Sequence, residues 1–246
     1  MDAPSRFPEI DITRGIAILM MVIFHTVFDI TFFGIMPVNV ATGFWRGFAM
    51  ATASLFLLVV GISLVVSHAR SAGKLTGSAL TKKFLYRGAG IFALGLLITL
   101  ATWWYLHEGF VIFGILHLIG VSVMLSPLFF RFRKYNILLG LVCIAIGLFI
   151  GTVQGPIWLL PLGIYPPAFT SVDYTPLFPW FGVVLIGLGV GEFLYAGGTR
   201  HFSIPPVPKL INVPLSFLGR HSLIIYLIHQ PIIILLLGAV TGTKVL

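Results

Sequence analysis

The alternation of long apolar stretches with short polar loops along the 246-residue chain predicts a bundle of membrane-spanning helices. About twenty apolar residues are enough for one helix to cross the hydrocarbon core of a bilayer. Runs of this length exclude a transmembrane β-barrel, whose strands alternate polar and apolar residues over about ten positions. The pattern therefore predicts an all-α fold with seven spans, at residues 15–35, 44–66, 86–105, 110–130, 137–154, 176–195 and 217–240.

The cations in the loops predict the orientation of these spans. Lys and Arg are enriched in cytoplasmic loops, and thirteen of the 15 cations fall on one side of the predicted topology, with only Arg46 and Lys244 on the other. We therefore expect a cytoplasmic N-terminus and an external C-terminus. The long outer connection at residues 154–175 is rich in Pro and aromatic residues. It is either an interfacial cap with a functional role or an ordinary aromatic-belt segment.

The composition agrees with a multi-pass protein of the cell membrane. Only 9% of the residues are charged and 58% are hydrophobic, whereas an ordinary soluble domain has about 25% charged residues. Seven helices use nearly the whole chain, so we expect a single domain over residues 1–246 whose first helix is retained. The net charge of +8 lies in the loops and does not indicate nucleic-acid binding. The one cysteine, Cys143, excludes an intramolecular disulfide and a Cys-based metal motif, and we expect no metal.

Ionisable side chains inside the spans are the candidate catalytic residues, because they are costly in a bilayer and usually functional. His25 and Asp29 are four residues apart in the first predicted helix and share one face. At 1.5 Å per residue, His25, His117 and His229 lie about 16, 20 and 16 Å above the inner ends of their spans. This common level predicts a shared polar site. The alternative is three core histidines that join helices through hydrogen bonds.

A second group of candidates lies at the predicted cytoplasmic ends. Arg14, Arg87 and Arg220 each directly abut a span, where a guanidinium fork can hold the phosphates of a cytosolic ligand. The alternative is plain positive-inside anchoring, or surface ion pairing in the case of Arg14. The last predicted helix carries a stripe of polar side chains on one face, made of Ser222, Tyr226, His229 and Gln230.

Several segments resemble known membrane enzymes. IDITRGIAILMMVIFH, an Arg-Gly leading into a helix with His eleven residues after the Arg, resembles the opening helix of the transmembrane acyltransferase superfamily. Four further segments resemble, in this order, the prokaryotic heparan-alpha-glucosaminide N-acetyltransferase catalytic-domain-like family. They are LFLLVVGISL, FVIFGILHLIGVSVMLS, DYTPLFPWFGVVLIGLGVG and LGRHSLIIYLIHQP. The likeness covers most of the chain.

The resemblance implies transfer of an acyl group, usually acetyl, from cytosolic acetyl-CoA to a hydroxyl or amine of an extracytoplasmic acceptor, often a saccharide. It implies His25 as general base, or as nucleophile through an acyl-imidazole, with Asp29 orienting its ring. His117, His229 or Tyr226 would donate to the developing oxyanion. The donor would be held by the cofactor-binding candidates Arg14, Arg87, Arg220, Ser222 and Tyr226.

Two features differ from relatives within the superfamily. The lysosomal branch associates its acting histidine with the loop after the first helix, and residues 35–44 contain no histidine here. The role of His25 therefore follows the bacterial O-acyltransferase branch, although the Arg-x-x-Arg motif of that branch is absent from this sequence.

Three other functions remain open at this point. A proton-coupled small-molecule transporter would use the intramembrane His and Asp residues as a relay. A membrane haem protein would use two of the three histidines as axial ligands. A binding or scaffold subunit would carry no chemistry. The acceptor, the acyl length and a possible homo-oligomeric state are not indicated by the sequence.

Overall fold

The computed structural model of the protein describes residues 6–242. Within this range the chain forms eight α-helices and no β-strand, so the predicted all-α fold is confirmed. Three short 3-10 helices, at Phe130–Tyr135, Ile157–Leu162 and Ala196–Gly198, lie between them. The α-helices are α1 (Pro8–Phe32), α2 (Gly43–Ala72), α3 (Gly77–Leu106), α4 (Ile115–Phe129), α5 (Asn136–Ile150), α6 (Leu177–Tyr195), α7 (Lys209–Arg220) and α8 (Ser222–Thr241).

Six segments of the described chain are long and apolar enough to cross a membrane. They are α1, α2, α3, α8 and the stretches Ile115–Ile150 and Leu177–Gly198. Large apolar side chains are exposed along them, for example Trp104 at 78% and Phe149 at 75%. Such exposure suits contact with lipid tails, which are as apolar as the side chains themselves. The protein is therefore a multi-pass membrane protein.

The stretch Ile115–Ile150 consists of two helices, α4 and α5, and is not one long helix. Arg133 has φ 47° and ψ −125°, which interrupts the helical path between α4 and α5. The N–H of Ile115, at the start of α4, donates to Asp173. At the far end of α5, a Cβ on Gly147 would lie 2.6 Å from Pro179, six residues beyond Asp173. The chain must therefore reverse between the two helices, as the prediction of separate spans at 110–130 and 137–154 requires. The total of seven crossings and the orientation of the termini stay predictions.

The last predicted span, residues 217–240, has a different start in the structure. Helix α7 ends at Arg220 and α8 begins at Ser222, with His221 in a non-helical conformation between them. The first four residues of the predicted span therefore belong to α7. The sequence interpretation missed α7 because this twelve-residue helix is amphipathic and too short to register as an apolar run.

The chain divides into two compact units. The first combines Met1–Val59 with Ile204–Leu246 and contains α1, α7, α8 and the beginning of α2. The second is Val60–Ser203 and contains the rest of α2 together with α3 to α6. The single domain over residues 1–246 stays a prediction.

In the first unit, α1 and α7 approach each other through two glycines. A Cβ on Gly15 would overlap the backbone carbonyl of Leu215, and a Cβ on Gly219 would overlap that of Asp11. Arg14 reinforces this contact, because its Nη1 donates to the Gly219 carbonyl at 3.4 Å and to the Asp11 carboxylate at 3.2 Å. Close backbone approach over small residues is the usual way for helices to pack inside a membrane.

In the second unit, the same device joins two helix pairs. Gly140 of α5 and Gly182 of α6 face each other, so that a Cβ on either one would lie 2.5 Å from the carbonyl of the other. Gly88 of α3 and Gly120 of α4 form an equivalent pair. These contacts, rather than large interlocking side chains, set the distance between the helices.

Replacing Gly219 by Ala is expected to lower the melting temperature of the detergent-purified protein. The added methyl overlaps the Asp11 carbonyl, and overpacking of this kind costs about 1–3 kcal/mol. The matched control is Gly47→Ala in α2, where a Cβ meets nothing within 4 Å. Since Ala favours a helix over Gly by up to about 1 kcal/mol, this variant should melt at the same temperature or higher. Equal losses in both variants would contradict the packing account.

Candidate active site

Four polar side chains meet on α1 and α8 in the first unit, and we call them the His–Asp cluster: His25, Asp29, His229 and Gln230. The rings of His25 and His229 touch edge to face, with centroids 4.8 Å apart. The Gln230 Nε2 donates to Asp29 Oδ1 at 2.7 Å. The structure thus brings together three of the four predicted catalytic residues, and it adds Gln230, which the sequence marked only as part of a polar stripe.

Two of the four cluster residues are buried and the other two are partly buried, and some of their polar atoms lack a hydrogen-bond partner among the described residues. Asp29 is 2% exposed and His229 is 8% exposed. Three of its buried atoms have no hydrogen-bond partner among the described residues, namely Asp29 Oδ2, His229 Nε2 and Gln230 Oε1. A buried polar atom without a partner costs about 1–3 kcal/mol. In native structures such atoms are accounted for by strain, by a catalytic role, or by a bound water, ion or ligand.

The two histidines share one tautomer in their neutral forms. His25 Nδ1 lies 2.9 Å from the Met21 carbonyl, and His229 Nδ1 lies 2.6 Å from the Tyr226 carbonyl. A carbonyl oxygen can only accept, so Nδ1 carries the proton in both rings. The Nε2 atom of a neutral ring is then an acceptor and a base. Each helix therefore holds its own histidine with the basic nitrogen away from the backbone.

All three unpartnered atoms of the cluster are consequently hydrogen-bond acceptors. The Gln230 N–H₂ group donates to Asp29, and the Gln230 amide oxygen has no partner among the described residues. A ligand that satisfies this set must bring O–H or N–H donors rather than additional acceptors. An imidazole Nε2 beside such a donor is placed to remove its proton.

Among the described residues, no hydrogen bond joins Asp29 to His25. The hydrogen bond of Asp29 goes to Gln230, and its second oxygen has no partner. The His25 ring is held instead by the carbonyl of Met21, one helical turn earlier. Spacing along α1 allowed the Asp29–His25 pair, but it did not reveal that α8 supplies an amide donor to Asp29.

His117 lies in the second unit, where both ring nitrogens have partners. The N–H of Gly114 donates to Nδ1 at 3.2 Å, so the proton of the neutral ring is on Nε2, which lies 3.5 Å from Thr99 Oγ1. The ring is 1% exposed and packs against Phe92 and Phe113. The described contacts explain His117 as a residue that caps the start of α4, in line with the core-histidine alternative.

Asp173 has a structural role that the sequence interpretation missed. One carboxylate oxygen accepts from the N–H of Ile115 at 3.0 Å, and the other accepts from the Thr175 hydroxyl at 2.7 Å. A carboxylate at this place satisfies an unpaired N–H of the first turn of α4 and favours the positive end of the helix dipole. Because Asp173 follows the helix by more than forty residues, no local capping pattern could have identified it.

The long connection at residues 154–175 is an ordered part of the second unit. It contains the 3-10 helix Ile157–Leu162 and a bridge between Gln154 and Tyr165. The Tyr174 hydroxyl donates to the Leu160 carbonyl at 2.8 Å. Burial raises the pKa of Tyr174 to about 12, so this hydroxyl stays protonated at neutral pH.

The predicted phosphate-binding residues are divided between the units. Arg14 lies in the first unit with the contacts described above, and Arg220, which is exposed, donates through Nε to the Ser216 carbonyl. Arg87 belongs to the second unit. The remaining donor-binding candidates, Ser222 and Tyr226, lie on α8, and the Tyr226 ring is 5.6 Å from that of His229.

Comparison with known proteins identifies the family. The family described as heparan-alpha-glucosaminide N-acetyltransferase, catalytic, matches residues 6–231 of the chain. The chain belongs to this family. No curated protein matches the sequence, and no solved structure matches it.

Membership of the heparan-alpha-glucosaminide N-acetyltransferase catalytic family confirms the resemblance seen in the sequence and indicates a transferase with a membrane acyltransferase-like function. The matched region includes the whole His–Asp cluster and ends one residue after Gln230. The catalytic and donor-binding roles of individual residues stay predictions.

The Asp29–Gln230 hydrogen bond is expected to appear as a non-additive pair in a double-mutant cycle on unfolding free energy. Asp29→Ala and Gln230→Ala each remove the same bond, so the double variant should lose less stability than the sum of the two. We expect a coupling free energy of about 1 kcal/mol or more, as is usual for a hydrogen bond to a charged group. Asp29→Ala combined with Ser216→Ala is the control, because Ser216 bonds to Asn212 and not to the cluster. Additive losses for Asp29 and Gln230 would contradict the geometry.

Proposed function

We propose that the protein is an integral membrane acyltransferase that moves an acyl group, most simply acetyl, from cytosolic acyl-CoA to a hydroxyl or amine of an extracytoplasmic acceptor such as a saccharide. The observation that carries the proposal is the buried set of acceptor atoms in the His–Asp cluster, found in a chain of this family. The membrane in which it works is the cell membrane.

The acceptor substrate supplies the donors that the cluster lacks. A hydroxyl or amine hydrogen-bonds to Asp29 Oδ2, Gln230 Oε1 or His229 Nε2, which are buried and have no partner within residues 6–242. A saccharide carries several such donors on one ring. Sites whose buried polar groups are satisfied only by the correct substrate discriminate strongly against analogues that lack the donor.

His25 acts as the general base. Its Nε2 takes the proton of the acceptor O–H or N–H while the new C–O or C–N bond forms at the thioester carbonyl. The tetrahedral intermediate then collapses, the C–S bond breaks, and CoA leaves as a thiolate that takes the proton back from the imidazolium. The Met21 carbonyl keeps Nδ1 protonated throughout. An acyl-imidazole on Nε2 is a second route that uses the same tautomer.

The oxyanion is stabilised by the Tyr226 hydroxyl. Of the three donors predicted for this role, neutral His229 has no proton on Nε2, because its Nδ1 donates to the Tyr226 carbonyl. His117 caps the start of α4, where its Nδ1 accepts from the N–H of Gly114. Tyr226 lies one helical turn from His229 and Gln230 on α8. A phenol O–H aimed at developing negative charge lowers the barrier without reorganisation.

The phosphates of the donor bind at the predicted cytosolic ends of the helices. Arg220 is exposed, and its described hydrogen bond uses only Nε. The two terminal amino groups of this guanidinium are therefore available to a phosphate in the bidentate manner. Arg14 and Ser222 belong to the same unit and lie near the same helix ends.

Replacing His25 by Ala is expected to abolish transfer while the protein stays folded. The protein would be reconstituted in liposomes with acetyl-CoA, and release of the CoA thiol would be followed with a panel of amino sugars and polyols. Loss of a general base costs about 10²- to 10⁴-fold in rate. His201→Ala, an exposed histidine after α6, is the matched control and should retain full activity. Normal turnover in folded His25→Ala would refute the catalytic assignment.

Asp29→Asn is expected to weaken recognition of the acceptor rather than of the donor. The Asn oxygen still accepts from Gln230, but an N–H₂ group replaces the second carboxylate oxygen. This N–H₂ group is a donor and cannot bond to the O–H or N–H donors of the acceptor substrate. We expect kcat/KM for the acceptor to fall about 10-fold or more, with the KM for acetyl-CoA unchanged. An equal rise in both KM values would place Asp29 outside the acceptor site.

The competing function is proton-coupled transport, which uses the same buried histidines and carboxylate. It predicts substrate-dependent proton movement across the liposome membrane and no cleavage of the thioester. That result, with no CoA released for any acceptor, would replace the acyltransferase proposal.

A further inference from the structure

Two cations in the second unit are held by two serines across neighbouring helices. Lys83 and Arg87 are one turn apart on α3, and Ser71 and Ser67 are one turn apart on α2. Lys83 Nζ donates to Ser71 Oγ, and Arg87 Nη1 donates to Ser67 Oγ at 3.3 Å. We call these four residues the Ser–cation ladder.

The two cations of the ladder have more donors than described partners. Lys carries three N–H donors and Arg carries five, and each uses one on a neutral hydroxyl. Among the described residues, neither ladder cation has a carboxylate as a partner, in contrast to Arg14, which pairs with Asp11, and Arg133, which pairs with Glu192. Both side chains are exposed. Two positive charges are therefore present without a counter-anion from the described chain.

The serines also orient the cations. The Ser71 hydroxyl donates its own proton to the Ser67 carbonyl at 2.6 Å, which leaves its lone pairs for Lys83. The Lys83–Ser71 and Arg87–Ser67 contacts are one helical turn apart, which is about 5–6 Å along the helices. A single phosphate group can accept from both cations, since charge-assisted bonds of about 2.8 Å on each side span this separation.

We propose that the Ser–cation ladder binds one phosphomonoester group at the predicted cytosolic surface. A phosphomonoester carries a charge of about −1.5 to −2 at pH 7, which matches two cations, whereas a phosphodiester carries only one negative charge. Two sources offer this group at a membrane surface: the 3′-phosphate of CoA and the headgroup of phosphatidic acid. The CoA source rests on the proposed function, and the lipid source does not.

Binding of the two sources is measured directly, without acyl transfer. For CoA, the dissociation constants of CoA and dephospho-CoA, which lacks the 3′-phosphate, are compared on the purified full-length chain. For the lipid, the melting temperature is compared in nanodiscs that contain phosphatidic acid or phosphatidylglycerol. We expect a preference for the phosphomonoester in at least one of these two comparisons. CoA should bind about 10-fold or more tightly than dephospho-CoA, or phosphatidic acid should raise the melting temperature by several degrees relative to phosphatidylglycerol.

The test variant is Lys83→Gln with Arg87→Gln, and it should lose the monoester preference. The matched control is Lys74→Gln with Lys82→Gln, which removes the same charge from two exposed lysines nearby and should keep the preference. If the double test variant does not fold, Arg87→Lys decides, because it keeps the charge and loses the guanidinium fork. It should reduce the preference several-fold relative to Lys82→Gln.

The site is refuted if the wild type shows no monoester preference in either pair, or if test and control variants lose it equally. These outcomes are separable from the fate of the proposed function. Acyl transfer by a wild type without monoester preference overturns the ladder site alone. A phosphatidic acid effect that the test variant loses, in a protein that binds no CoA, retains the ladder site and overturns the donor assignment.

Discussion

The hydrogen bond between Asp29 on α1 and Gln230 on α8 is the contact on which the account of the site depends. Inside a membrane, water does not satisfy polar groups, so a buried carboxylate must find its partners within the protein. Gln230 supplies one donor at 2.7 Å, and its own amide oxygen is an acceptor that has no partner in the described part of the chain. Together with the tautomer of His229, this bond makes the cluster complementary to a ligand rich in donors. The same property suits an alcohol or amine that must lose a proton in the reaction.

The packing of α1 keeps this site in place. Gly15 and Gly219 allow α7 to lie directly against the first turns of α1, and Arg14 adds bonds across the same contact. A residue predicted to hold phosphates is thus also part of the helix packing. This dual role explains why an arginine next to a span is ambiguous in sequence.

Much of the fold followed from the sequence because the length of an apolar run is a direct consequence of bilayer thickness. The separate spans predicted at residues 110–130 and 137–154 correspond to α4 and α5, and Arg131, Arg133 and Lys134 lie in the 3-10 helix between them. Helix α7 was missed, since a short amphipathic helix leaves no such run. Span boundaries moved as well: α1 begins at Pro8 and α3 at Gly77, because helices continue into polar residues beyond the apolar core.

The site was only partly predictable. Depth along the helices placed His25 and His229 at one level, and their rings do meet. The ring tautomers depend on the carbonyls of Met21 and Tyr226, however, and such contacts are not visible in residue spacing. His117 had the same depth signal and is explained by a cap on α4.

The most direct test of the acyl-CoA assignment is the thermal stability of the detergent-purified protein with acetyl-CoA, free CoA and ATP. A ligand that binds only the folded state raises the melting temperature in a saturable way. We expect such a shift with both CoA compounds, and we expect it to be larger than any shift with ATP. The absence of a shift with either CoA compound, in a sample shown to be folded, would contradict the assignment and favour the transporter.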